Sequence, residues 1–181
     1  DMAPGESVFP SVVSSGTAST KDRVNEELDL KELVERAQRE AERVAQEAGR
    51  LLYEKYFGKV TMEEKLDSNH IKSFVTEADR ASEDFIKTEL QAAFPNFSFL
   101  GEEGGMEGSV DNDFQWVVDP LDGTTNFGNS IDFFCVSIGL LHRGKPVMGV
   151  LCIPAEKKIL SGSTFSKPKS NGKDISVYNG P

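Results

Sequence analysis

Four carboxylates in two short segments stand where they could do chemistry together. WVVDPLDGTTNF, residues 116–127, sends an apolar run into Asp119, turns through Pro120, and sets Asp122 three positions later. Pro120 fixes one backbone dihedral and Gly123 permits a tight bend, so Asp119 and Asp122 can converge on one point. Upstream, FLGEEGG puts Glu102 and Glu103 directly after another apolar run, with Gly104 and Gly105 favouring a mobile loop beyond them. Carboxylates gathered this closely repel one another, and a hard divalent cation such as Mg²⁺, which takes oxygen ligands in near-octahedral geometry, makes the arrangement tolerable. Each segment alone also reads as an ordinary solvated turn. It is the uninterrupted twelve-residue run that favours the metal reading.

WVVDPLDGTTNF, preceded by FLGEEGG and further back by VTEAD at 75–79, resembles the inositol monophosphatase family of metal-dependent phosphatases. The similarity extends from about Leu30 to about Val177, where NGKDISV at 171–177 is similar to the family's NGxxIxV turn and strand. The resemblance implies that Glu102, Asp119, the backbone carbonyl of Leu121 and Asp122 hold Mg²⁺. It implies that Thr124, helped by Glu102, orients the attacking water and that the amides of Gly123 and Thr124 receive the substrate phosphate. Asp79 corresponds to the family's acid that holds a further metal-bound water. Spacing alone gives Asp79 another role, because Thr76 and Asp79 at a helix start make a capping-box-like pair, and both readings stand at this point.

The resemblance further implies metal-assisted hydrolysis of a phosphate monoester, with inositol monophosphate or a related small phosphate as substrate and no Ser or Cys nucleophile. The family's C-terminal WDxAAG-like motif, which supplies another aspartate, is not found before Pro181. Ser73 stands where an aspartate commonly precedes VTEAD, Asp132 where a proline usually follows, and SGSTFSKPKS lacks the family's Gly-x-Gly. These departures motivate a second reading, a catalytically incomplete structural or interaction subunit. They also lead us to expect exposed apolar surface, and hence a homo-oligomer or a place in a larger assembly.

The elements that must position these residues follow from periodicity. Apolar residues from Leu30 to Phe57 recur at helical spacing, with Asp29 as cap and Gly58 as terminator. A second helix is predicted from about Glu77 to Phe94, with Ala78, Ala81, Phe85, Ile86, Leu90 and Ala93 on one face; TMEEKLDSNHIKS before it reads as loop or irregular strand. After Pro95 the period shortens, and strands are predicted at 97–101, 114–119, 133–141 and 146–153, with another near 159–163. Arg143-Gly144-Lys145 suggests an antiparallel hairpin. Helices followed by a meander imply an α+β layered fold. Residues 1–23 read as a disordered tail, and 24–181 as the family-like domain.

Thirty acidic against twenty basic residues give a net charge of −10, which argues against nucleic acid or an anionic membrane as partner. No segment is apolar for long enough to cross a bilayer. Cys135 and Cys152 lie in apolar runs and read as buried reduced thiols, which fits a reducing compartment; the start at Asp1 suggests an organelle reached after removal of a leader. His70 and His142 are far apart and read as surface residues.

Overall fold

A computed structural model describes residues 20–57, 68–109 and 112–176, with side chains at 24–57, 75–109 and 112–176. Helix α1 spans Thr20–Arg50 and buries Val34, Ala37, Ala41, Val44, Ala45 and Ala48, the stripe that the periodicity predicts. It begins ten residues before Leu30, so Asp29 lies inside the helix rather than at its cap. KDRVNEELD holds no Gly or Pro and consists largely of good helix formers, which explains the extension into the segment read as a tail. One wider π-helical turn, Leu51–Phe57, continues it and buries Leu52, Tyr56 and Phe57. Gly58 lies outside the described residues.

Helix α2 spans Ser68–Ala93, nine residues longer at its start than predicted, and stops ahead of Pro95. Its buried stripe is Val75, Ala78, Asp79, Ser82, Glu83, Ile86 and Leu90. Ala81 and Phe85, expected on that face, sit at its margin. Three polar side chains thus occupy positions that an apolar count assigns to the core.

The sheet consists of β1 (Ser98–Gly101), β2 (Gly105–Glu107), β3 (Phe114–Asp122), β4 (Cys135–His142), β5 (Lys145–Ile153), β6 (Lys158–Ser163), β7 (Ser166–Ser170) and β8 (Lys173–Asp174). Their spatial order is β2-β1-β3-β4-β5-β6-β7-β8. Neighbours are antiparallel except β1 and β3, which run parallel with Gly101 opposite Val118. Between β4 and β5 the chain reverses through Arg143 and Gly144, at φ 50° and 74°, the left-handed pair that a two-residue hairpin requires. The fold is a layered α+β arrangement, as expected, with α1 packed on β4, β5 and β6 and α2 on β1 and β3. Gly104 and Gly105, expected to loosen a loop, instead lead straight into the short strand β2.

Strand alternation sends Val136, Ile138 and Leu140 of β4 into the layer beneath the helices, where Trp116 and Phe99 are also fully enclosed. Ile138→Val removes one buried methylene-sized group and is expected to cost about 1 kcal/mol, read as a lower urea midpoint with unchanged m-value. Gln38 anchors α1 through a polar contact: its amide donates to Ser161 Oγ at 3.2 Å and accepts from Ser166 Oγ at 3.2 Å. On the opposite sheet face Leu100 and Leu151 remain partly exposed, while Ile131 and Phe133 project from the loop before β4. Both cysteines are free thiols, Cys152 buried and Cys135 half-buried.

Candidate metal centre

Parallel pairing of β1 with β3 decides where the acids meet. With Gly101 opposite Val118, the next residues, Glu102 and Asp119, leave adjacent strands side by side. Asp119 then pairs with Ser137 and Asp122 with Cys135, so β3 uses three steps where β4 uses two. That bulge accommodates Pro120, which has no N–H to give to the ladder. The turn is held from three directions. Leu121 N–H donates to Asp119 Oδ1 at 3.2 Å, Ser82 Oγ of α2 donates to the Pro120 carbonyl at 3.0 Å, and Thr124 Oγ1 donates to the Leu121 carbonyl at 3.1 Å.

Gly123 follows at φ 97°, ψ 31° and opens the short helix α3, Thr124–Gly128. A Cβ at this position would lie 3.0 Å from the Phe133 carbonyl and 3.2 Å from Phe134. Gly123→Ala therefore adds steric pressure to a left-handed backbone and is expected to cost at least about 1 kcal/mol by urea unfolding. Phe127 secures α3 by packing edge-on against Phe134 at 4.9 Å and against Phe57 at 5.6 Å.

Asp79 lies in the interior of α2, eleven residues after its start at Ser68, so the capping reading fails. The side chain is buried, and its Oδ1 has no hydrogen-bond partner; among the described side chains it shares that condition with Trp116 Nε1. Burial first, and then the negative charges of Glu103, Asp119, Glu102 and Glu83, push the Asp79 carboxyl up to about 7. Asp119 is pushed up to about 6 by burial and then by the negative charge of Glu102; the Leu121 amide opposes the shift. Asp122 is exposed and accepts a weak bond from the Cys135 thiol at 3.7 Å. Burial, then Asp122, pushes that thiol up to about 12, so it stays protonated and is no nucleophile at neutral pH.

The structure thus draws Asp79, Glu102 and Asp119 into one electrostatic neighbourhood, with Asp122, Gly123 and Thr124 on the adjoining turn. Among the described residues no three His, Cys, Asp or Glu side chains already converge in ligating geometry. In donor chemistry the cluster fits a hard divalent cation: every candidate donor is oxygen, one buried carboxylate oxygen lacks a partner, and the neighbouring acids raise the proton affinity of Asp79 and Asp119. His142 stacks on Phe114 at 4.5 Å and takes no part, while the His70 side chain lies outside those described.

The model of the inositol monophosphatase family matches residues 33–181. The chain belongs to that family. A fructose-1,6-bisphosphatase/inositol-1-monophosphatase of Aquifex aeolicus is 36% identical over 138 residues, which cover 76% of this chain and 52% of the relative. The Nus factor SuhB of Pseudomonas aeruginosa is 36% identical over 142 residues, 75% of this chain and 50% of that protein. Among solved structures, the extragenic suppressor protein suhB of Bartonella henselae superposes with a TM-score of 0.67 at 33% identity, over 81% of this chain and 55% of that one. The chain spans about half the length of the relatives it matches.

Sequence reasoning missed Ser82 and Glu83. Both were visible as polar residues three and four positions after Asp79, on the same helix face in a stripe otherwise apolar.

Proposed function

We propose that this chain carries the strand-end acids of a Mg²⁺-dependent phosphomonoesterase acting on inositol monophosphate or a related small phosphate. The observation that carries this reading is the buried, partnerless Asp79 oxygen, set within the field of Glu102 and Asp119 at the ends of two adjacent strands. Glu102, Asp119, the Leu121 carbonyl and Asp122 would hold the cation, with Asp79 retaining a water at its edge. Bound Mg²⁺ supplies acidification of water and neutralisation of phosphate charge. Thr124 donates its only hydroxyl proton to the Leu121 carbonyl, which leaves its oxygen lone pairs free to accept from a water and fix its direction. Glu102, at the exposed end of β1, accepts the proton that this water gives up. The amides of Gly123 and Thr124, at the start of α3, receive phosphate oxygens.

The test is Mg²⁺-dependent phosphate release from a panel of small phosphomonoesters by the purified chain, alongside calorimetric titration with Mg²⁺. Binding together with turnover supports the reading; a folded sample that neither binds Mg²⁺ nor releases phosphate refutes it. A second reading, that of a subunit in a larger assembly, draws on the exposed Phe133, Ile131 and Leu151 and on the relative named as a Nus factor. It predicts Mg²⁺-independent self-association or complex formation, measured by light scattering, in a chain without turnover.

A further inference from the structure

Glu83 is a buried carboxylate one helical turn beyond Asp79, and both of its oxygens are engaged by the turn that follows β1. The Glu103 amide donates to Oε2 at 2.9 Å and the Gly104 amide donates to Oε1 at 2.6 Å. Donors from two consecutive residues, one to each oxygen, make the pair a clamp rather than an incidental contact. The glycines around it carry the same message. A Cβ at Gly101 would overlap the Glu83 carboxyl group, and one at Gly104 would lie 2.7 Å from Oε1. Gly105 differs, because a Cβ there meets nothing within 4 Å and glycine is favoured instead by its φ of 73°.

Gly-Glu-Glu-Gly-Gly therefore encodes a docking surface for one carboxylate as much as a pair of acids. Glu102 sits between two fixed points: Gly101, held opposite Val118 in the sheet, and the Glu103 amide, held by Glu83. The geometry points to Glu83 as the positioning residue of the metal site, which sets where Glu102 projects beside Asp119 without itself touching metal or substrate. Only the consequence for a metal rests on the proposed function; the clamp stands on its own geometry.

Three measurements on the full chain test this. In Glu83→Ala the Glu103 and Gly104 amides should exchange with solvent at least about tenfold faster by NMR, with a smaller gain in Glu83→Gln, whose amide oxygen can still accept one bond. Gly104→Ala should destabilise the wild-type chain and be nearly neutral in a Glu83→Ala background, because the clash disappears with the carboxylate. Mn²⁺ affinity, followed by paramagnetic line broadening, should fall about tenfold in Glu83→Ala and be partly rescued in Glu83→Gln. Unchanged exchange at both amides overturns the proposal. Faster exchange with unaltered Mn²⁺ affinity overturns it too, since Glu83 would then brace the turn without placing Glu102. A wild-type chain that takes up no Mn²⁺ refutes the metal-site reading instead, and the exchange rates and the Gly104 cycle then decide the clamp by themselves.

Discussion

On the proposed function, Asp119→Asn should abolish Mg²⁺-dependent phosphate release, with a loss of at least about a hundredfold, because altering even the outer partners of metal ligands costs about 10- to 100-fold and Asp119 is proposed as a ligand itself. The substitution is conservative in shape. An asparagine oxygen still accepts the Leu121 amide that Asp119 Oδ1 accepts at 3.2 Å, so the bulge and the turn keep their internal bond. Removing the charge also relieves the Glu102–Asp119 repulsion, so the variant should be no less stable than the parent in metal-free buffer. Calorimetry should show weaker Mg²⁺ binding in parallel with the lost turnover. Undiminished phosphate release would place the metal elsewhere and end the assignment of β3 as its carrier.

A second large effect concerns pH. The Asp79 carboxyl rises from its ordinary 3.8 to about 7 in the folded chain, chiefly through burial. Between those values the folded chain holds a proton that the unfolded chain has lost. Unfolding therefore releases protons, and stability contributed by the protonated group declines as pH rises across this window. The decline amounts to something on the order of 4 kcal/mol from this group, complete once the pH passes about 7. Asp119, pushed up to about 6, adds a change of the same sign. Urea midpoints in metal-free buffer should thus fall with increasing pH more steeply for the parent than for Asp79→Asn, and added Mg²⁺ at high pH should recover the parent by mass action. Parallel pH profiles for the two proteins would mean that Asp79 titrates normally and is not under the pressure described.

The acids of the site were legible because the turn that presents them is local: Pro120 and Gly123 reveal a bend between Asp119 and Asp122 with no knowledge of the rest of the chain. The β4–β5 hairpin was legible for the same reason, from Arg143-Gly144 between two apolar runs. Parallel pairing of β1 with β3 was not, since the strands are joined through β2 and the partner of a strand is chosen by packing of distant segments. The start of α2 was missed because the polar opening Ser68-Asn69-His70 reads as loop, although Ile71, Phe74, Val75 and Ala78 already recur at helical spacing. That error created the apparent cap at Thr76 and Asp79. Glu83 escaped notice because a buried carboxylate makes sense only once its two amide donors, twenty and twenty-one residues away, are in view.

Ser82 and Glu83 hold the Pro120 carbonyl and the turn after Glu102 from one face of α2, and Asp79 stands on that same face within the field of the other acids. A helix that presents three such side chains within two turns acts as an assembly jig. Shifting its register by a single residue would rotate all three out of place together, by about 100°. A folding intermediate with the sheet formed and α2 undocked would accordingly contain every acid in the sequence and no site. Appearance of cation affinity during refolding would then time the arrival of this one helix.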